Sequence, residues 1–316
     1  MRAAIIGCNW GQIYIQGLRQ HGVEVVALCG LPQAQAEAVA RQHQVPLATD
    51  SVARLLEPEL ALDLVVLATP AITHAALLSQ LAGLPVICEK PLFGLRGDES
   101  LLQGVGERVW VNYAFAFLDS ARQIAALKPR LGAIQRLELA CEYDLPLRFS
   151  PAQWWLEVAS HPLSFLVHLF GEPRWVESES HWQGDALHCR IGATPAQLSC
   201  AARPGLHGIT QRLRIHAEQG VVTLEGGFHL GQPWGYQAVR WNGEACNQGE
   251  WCAEDCWVRA NLRSIGLIVR QLRGELTPRE ALTLGLFTPA KAEPIDRLIR
   301  TAWCHQVPAP GDHIGG

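Results

Sequence analysis

The sequence predicts an α/β protein in two parts: a doubly wound parallel sheet over residues 1–117, then an α+β domain over residues 118–316 with a large, mostly antiparallel sheet. Three observations carry this. Over roughly the first 110 residues, short solid apolar runs alternate with segments of helical spacing, the pattern of parallel strands covered on both faces. After Leu131-Gly132 the alternation stops, and strand-sized pieces follow one another with Gly, Pro and Asn between them. Helical segments then close the chain, as in an antiparallel sheet backed by helices.

In chain order, Ala3–Gly7 is a short apolar run and Gly11–Arg19 has helical spacing. Glu24–Cys29 is rich in Val and strand-like. Pro32–His43 is Ala/Gln-rich and helical, with Pro at its start, where a missing N–H costs nothing. Leu64–Ala68 is a strand, Thr73–Ala82 a helix, Pro85–Cys88 a strand, Ser100–Val105 a short helix and Arg108–Asn112 a strand. In the second part, Ala133–Tyr143 alternates like a half-covered strand. Ala152–Phe170 is helical and stops at Gly171-Glu172-Pro173. Strands follow at Arg174–Glu179, Ala186–Gly192, Ala196–Ala202, Thr210–Ala217, Val221–Glu225 and Tyr236–Trp241. Helices return at Trp257–Arg273 and Pro278–Trp303, and the tail from Val307 is loose.

Composition narrows the function. The 316 residues carry a net charge of −4 and no run of Lys or Arg, which argues against a nucleic-acid binder or a membrane-surface protein. The longest apolar runs are strand-sized, too short to span a bilayer. The N-terminus enters a strand at once without a signal-like segment, so a cytoplasmic location is expected. Charged residues make up 18%, below the usual quarter or so. The ten cysteines are scattered. Cys246, Cys252 and Cys256 lie closest together, but without the paired spacing of a zinc site, so no metal is expected.

The first strand runs into Gly7-Cys8-Asn9-Trp10-Gly11-Gln12 and then a helix. A dinucleotide-binding (Rossmann) turn wants three glycines: one for the tight turn, one for backbone approach to the pyrophosphate, one for close helix–strand packing. Gly7 fits the first. Asn9, which tolerates left-handed geometry, stands at the second. Gln12 stands at the third, with Gly11 one place early. The helix N-terminus can bind a pyrophosphate through its free N–H groups. The second strand ends at Cys29-Gly30, where an NAD-binding chain usually places a carboxylate for the ribose hydroxyls. Gly30 offers none, and Leu31, Pro32 and Gln33 follow, so NADP(H) is favoured over NAD(H). Arg41, the nearest cation, lies a helix away.

Further segments carry a family resemblance: Leu67-Ala68-Thr69-Pro70 followed by Thr73-His74; Cys88-Glu89-Lys90-Pro91-Leu92; Val109–Tyr113; Leu131-Gly132-Ala133-Ile134; and Thr277-Pro278-Arg279-Glu280-Ala281. With the glycine loop, and in this order over nearly the whole chain, they resemble the glucose–fructose oxidoreductase / inositol dehydrogenase (Gfo/Idh/MocA) family. The Glu-Lys-Pro tripeptide is the most specific part. The resemblance implies coenzyme contacts from Gly7, Cys8, Asn9, Trp10, Gly11, Gly30, Thr69, Pro70, His74, Glu89 and Lys90. It makes Lys90 the leading catalytic candidate, at the carboxyl end of a parallel strand where such folds bind ligands. It also implies that the bond before Pro91 is often cis, that the last helix packs back on the Rossmann domain, and that the chain forms homodimers or homotetramers through the C-terminal sheet.

The family often carries Asp-x-x-x-His on the helix that opens the second domain. Here the stretch reads Glu157-Val158-Ala159-Ser160-His161. His161 is the expected general acid/base, since its ordinary pKa lies near neutrality. Glu157 stands for the Asp, and Ser164 stands where relatives often have a second Asp. Tyr113 is a further donor candidate. Trp154 and Trp155 are candidates for stacking on a substrate ring, while Trp182 and Trp234 are expected at a subunit interface. Gly7–Leu18 and Val109–Phe115 also resemble thiazolinyl imine reductases, distant members of the same family. Three functions are therefore weighed: an oxidoreductase acting at a C=O or C–OH carbon of a small sugar-like or cyclitol-like substrate, an NADPH-dependent imine reductase, and a non-catalytic dinucleotide-binding regulator.

Overall fold

A computed structural model describes residues 1–96, 108–147, 149–249 and 255–305. The helix expected at Ser100–Val105, Cys252 and the tail from Val307 lie outside the described residues. Six parallel strands form the first sheet: β1 (Arg2–Ile6), β2 (Glu24–Cys29), β3 (Leu47–Thr49), β4 (Leu64–Leu67), β5 (Val86–Cys88) and β6 (Val109–Val111), in the order β3-β2-β1-β4-β5-β6. Their side chains are almost all buried, because helices cover both faces. The helices are α1 (Gln12–Gln20), α2 (Gln33–His43), α3 (Val52–Leu55) and α4 (His74–Gln80). The strand order reverses between β1 and β4, which opens the crevice at their carboxyl ends. The short β3 and α3 escape the sequence reading; β3 (Leu-Ala-Thr) lacks the solid apolar run that marks β5 and β6.

After α5 (Asp119–Leu127) comes β7 (Ile134–Asp144), the centre of a ten-stranded sheet. A helical stretch follows: α6 (Pro151–Trp154), a wide π-type turn at Trp155–Ala159, and α7 (Ser160–Phe170). The other strands are β8 (Pro173–Arg174), β9 (His181–Gln183), β10 (Ala186–Ile191), β11 (Thr194–Ala202), β12 (Gly208–Ala217), β13 (Gly220–His229), β14 (Gly235–Tyr236), β15 (Arg240–Trp241) and β16 (Glu244–Ala245). All pairings here are antiparallel except β7 with β11. The inner face buries Leu137, Leu139, Leu198, Leu213 and Ile215. The outer face carries ion pairs. Glu142 accepts from Arg203 at 2.7 Å and Arg212 at 2.5 Å, and Glu138 lies 3.2 Å from both Arg136 and His216. It is a charged surface, not an apolar one.

The structure corrects several expected elements. The strand expected at Arg174–Glu179 is only two residues long, because the Ser180 hydroxyl accepts from the Val176 N–H at 2.8 Å and folds the chain into a turn. Tyr236–Trp241 divides into β14 and β15. The helix expected over Pro278–Trp303 is two elements: α8 (Cys256–Leu272), where a helix was expected, is followed by α9 (Pro278–Thr283) and α10 (Pro289–Cys304), with Gly285 at φ +115° between the last two. A Thr277–Glu280 capping box starts α9. The tryptophans also move. Trp154 stacks on Tyr143 at 3.9 Å, and Trp155 is buried against Trp182 at 5.4 Å. Trp182 donates its indole N–H to the Ala302 carbonyl at 2.8 Å and packs on Trp303 of α10. Trp234 packs inside against Phe115 and Phe228. Among the described residues, no helix is long and apolar enough to cross a membrane.

Candidate active site

The glycine loop is shaped by two close approaches. Gly7 has φ +106°, and a Cβ there would sit 2.2 Å from the Ala68 carbonyl oxygen. At Gly11 the dihedrals are helical, but a Cβ would meet the Gly7 carbonyl oxygen at 2.0 Å and Ile5 Cγ2 at 2.8 Å. Gly11 therefore does the helix–strand packing work that the three-glycine pattern assigns one position later. The amide of Gln12 instead ties the loop, donating to the Cys8 carbonyl at 3.0 Å. Neither a capping side chain nor an acidic residue occupies the N-terminus of α1; its first N–H groups turn back on the loop, Ile13 to the Trp10 carbonyl at 3.3 Å and Tyr14 to that of Gly11 at 3.1 Å.

Around this loop, Asn9 Oδ1 accepts from Gln35 Nε2 at 2.5 Å. Trp10 is 67% exposed and meets Trp257 edge-on at 5.6 Å. Cys8 is buried beside Gly30, where a Cβ would come within 2.5 Å of its Sγ. A side chain at position 30 would therefore have to displace the Cys8 thiol. Burial, then the neighbouring Cys8 and Asp50, push the Cys29 thiol up to about 11. Leu31 and Ile72, 79% and 77% exposed, follow β2 and β4 on the same edge. Sequence reasoning passed over both as a possible coenzyme surface; two apolar residues just past strand ends were the available signal.

Thr69 and Pro70 end the β4 edge, with the Thr69 and Thr73 hydroxyls 2.7 Å apart. His74, expected among the coenzyme contacts, is fully buried. Its ring nitrogens lie 2.8 Å from the Thr69 carbonyl oxygen and 3.0 Å from that of Leu92. It braces the β4 loop against the Glu-Lys-Pro loop, and burial lowers its pKa. Glu89 is likewise engaged by protein. Its Oε1 accepts from the Tyr14 hydroxyl at 2.5 Å, and its Oε2 lies 3.2 Å from the Lys90 N–H. Asn112 Nδ2 donates to the Tyr14 oxygen at 2.7 Å and to Asn261 Oδ1 at 2.6 Å. Burial raises the Glu89 pKa. Tyr14, Asn112 and Asn261 come from α1, the end of β6 and α8, so nothing in their spacing announces the network.

Lys90, Glu157 and His161 are brought together. The Lys90 ammonium donates to Glu157 Oε2 at 2.7 Å and to the Glu157 backbone carbonyl at 3.0 Å. Glu157 is therefore a partner of the site rather than an idle surface group. His161 stacks on Phe115 at 4.8 Å, and its Nδ1 is buried with no hydrogen-bond partner among the described residues. Burial first, and the Lys90 charge second, hold the imidazole well below the ordinary histidine range, so it is neutral at pH 7. The Ser164 hydroxyl donates back to the His161 carbonyl at 2.6 Å. Tyr113 is a correction: its ring is 1% exposed and its hydroxyl donates to Asp296 at 3.2 Å, because α10 packs over the end of β6.

Asp296 also accepts from the Phe93 N–H at 3.2 Å, and Arg300 donates to the Gly94 carbonyl at 3.3 Å. The last helix thus clamps the segment that follows the cis Lys90–Pro91 bond. Burial pushes the Asp296 carboxyl up to about 6 from an ordinary 3.8. A carboxyl raised on folding contributes stability that is fully present below pH 4 and is lost as pH rises through about 6, here about 3 kcal/mol. We therefore expect the melting temperature of Asp296→Asn, relative to wild type, to climb on the order of 5 °C between pH 4 and 7. A pH-independent difference between the two melting curves would refute this. Among the described residues, no three His, Cys, Asp or Glu side chains are grouped to hold a metal.

Residues 1–103 match the Gfo/Idh/MocA family model, an oxidoreductase family with an NAD-binding Rossmann fold. Oxidoreductase cns1 of Cordyceps militaris is 36% identical over 194 residues, which are 57% of this chain and 24% of that protein. The chain thus spans about a quarter of the length of this curated relative. Several solved structures align over nearly all of the chain. An Agrobacterium radiobacter oxidoreductase in complex with NAD+, L-tartaric acid and magnesium has a TM-score of 0.68 at 14% identity, covering 96% of both chains. A 3-ketoreductase from Actinomadura kijaniata in complex with NADP and TDP-benzene has 0.69 at 17%, covering 96% of this chain and 97% of that one. A dehydrogenase from Clostridium difficile has 0.70 at 12%, covering 95% and 99%. At these identities the likeness speaks for the fold alone.

Proposed function

We propose, from the match of residues 1–103 to the Gfo/Idh/MocA oxidoreductase family model, that the chain transfers a hydride to or from a C=O or C–OH carbon of a small sugar-like or cyclitol-like substrate, with NADP(H) favoured over NAD(H). The observation that carries this reading is the Lys90 ammonium, held by Glu157 beside a neutral His161 at the carboxyl edge of the parallel sheet. The residues fit a dinucleotide: Gly7 and Gly11 permit the close backbone packing of a strand–turn–helix loop, and neither a side chain nor a carboxylate caps the N-terminus of α1 that follows it. When bound, the coenzyme supplies or accepts the hydride.

The chain's own residues handle charge and protons. The Lys90 ammonium faces the substrate oxygen and steadies the negative charge that develops on it. His161 takes the hydroxyl proton in oxidation and returns it in reduction. Glu157 fixes the ammonium in place through two acceptors on one residue. The absence of a carboxylate at Gly30 and the neutral amides of Asn9 and Gln35 support NADP(H).

An imine reductase is the second reading, favoured by the aromatic surroundings of His161: Phe115 stacks on it, and Trp234 packs on Phe115. The purified protein titrated with NADPH and NADH, read by nicotinamide fluorescence and thermal shift, should bind both and NADPH more tightly. Turnover is then sought on polyols, keto sugars and cyclic imines. Failure to bind either coenzyme would overturn the assignment, and binding without turnover on any of the three classes would favour a regulator. Turnover of imines alone would replace the first reading with the second.

A further inference from the structure

Lys90 lies just past the point where β5 leaves the sheet. Backbone bonds hold the chain up to there: the Glu89 N–H donates to the Leu67 carbonyl at 2.8 Å, and the Asn112 N–H donates to that of Cys88 at 2.8 Å. Pro91 follows and has no N–H to give. Between them, the Lys90 N–H donates at 3.2 Å to Oε2 of the Glu89 side chain. This anchor of the Lys90 backbone is a carboxyl group on a rotatable side chain, so it stays in place only if the other oxygen is held too.

Oε1 is held from another element. The Tyr14 hydroxyl of α1 donates to it at 2.5 Å, and the Asn112 amide stands 3.5 Å away. Asn112 also donates to the Tyr14 oxygen at 2.7 Å and to Asn261 Oδ1 at 2.6 Å, and Asn261 donates to the Trp257 carbonyl at 2.9 Å. The Tyr14 ring is fully buried, and α1 lies tight on α8, where a Cβ on Gly17 would come within 2.5 Å of Ile265 Cδ1. We propose that Tyr14 is a positioning residue for Lys90: by fixing Oε1 of Glu89, its hydroxyl keeps Oε2 on the Lys90 N–H and seats the lysine relative to the helix that follows the glycine loop. The inference deepens the function proposed above and rests on it for its meaning, but its test needs no turnover.

The test uses nuclear magnetic resonance of the full-length chain grown with isotopically labelled lysine. Only three lysines occur, so the backbone amides of Lys90, Lys128 and Lys291 are the whole spectrum, and Lys128→Arg and Lys291→Arg assign it. Hydrogen exchange reads how firmly the Lys90 N–H is held. The pH dependence of its chemical shift reads the charge on Glu89. The groups that bear on this carboxyl are the Tyr14 hydroxyl from α1, the neutral Asn112 amide from the end of β6, and Lys90 and Cys88 beside it in the chain. Tyr14→Phe removes one oxygen and keeps the buried ring.

We expect the Lys90 amide of Tyr14→Phe to exchange about tenfold faster than in wild type, relative to the other two amides, the fold-change for losing one hydrogen bond to a charged group. Its titration should move to higher pH, because the lost donor favoured the ionised carboxyl. Adding Tyr14→Phe to Glu89→Ala should speed exchange no further. Unchanged exchange and titration in Tyr14→Phe overturn the proposal. So does equal acceleration of all three amides, which would assign Tyr14 to general stability, or further acceleration on top of Glu89→Ala, which would route its effect around Glu89. A wild-type Lys90 signal that follows no carboxyl titration overturns it without any variant. None of these readings depends on turnover, so a failed substrate screen leaves them standing.

Discussion

Replacing Lys90 by alanine lowers turnover by about two to three orders of magnitude while NADPH still binds with near wild-type affinity. The loss follows from position. The ammonium sits at the carboxyl end of β5, has one-tenth of its side-chain surface exposed, and is aimed by both oxygens of the Glu157 contact. A group placed to meet charge that develops during reaction acts on kcat rather than on ground-state binding. Coenzyme binding survives because the turn of Gly7 and Gly11 and the start of α1 are untouched. Folding survives because the Glu157 carboxylate left behind is 36% exposed and regains water. Arginine should not rescue, since its wider planar fork does not fit a site built around a point charge. Steady-state kinetics with fluorescence titration checks both halves. Turnover within threefold of wild type in Lys90→Ala would remove Lys90 from the mechanism.

His161→Asn should cost about two to four orders of magnitude in kcat, the usual contribution of a positioned acid/base, and should also change the pH profile. Burial and the Lys90 charge depress the imidazole pKa. In oxidation the neutral ring is ready to accept a proton at pH 7, and the rate falls only at pH well below the ordinary histidine range. In reduction the ring must first be protonated, so the rate rises as pH falls. Asparagine removes both limbs. The linkage runs in the same sense: with the folded value below the unfolded value of about 6.5, the unfolded chain takes the proton first, and stability is lost as pH falls below that value. Lys90→Ala removes the second cause of the depression, so its residual acid limb should shift upward. Profiles in both directions from pH 5 to 9 decide this. An unchanged limb in His161→Asn would assign the proton transfer to another group.

Much of the molecule was legible in the sequence because its physics is local. A strand covered on both faces must be apolar throughout, so β1, β2 and β4 declare themselves; β10 and β12, covered on one face, alternate. Gly7 and Gly11 mark backbone approaches that no other residue permits, and Lys90 is placed by the tripeptide that follows a strand. What the tertiary structure alone decided involves partners far apart in sequence. Tyr113 read as a substrate donor until Asp296, nearly two hundred residues later, took its hydroxyl. His74 read as a coenzyme contact until the Leu92 and Thr69 carbonyls enclosed it. Glu157 stood as a substitute of uncertain use until the Lys90 ammonium met it across 67 residues of chain. Local patterns set which faces are buried, but a hydrogen bond in a low-dielectric interior depends on which polar groups packing brings together, and no period in the sequence encodes that pairing.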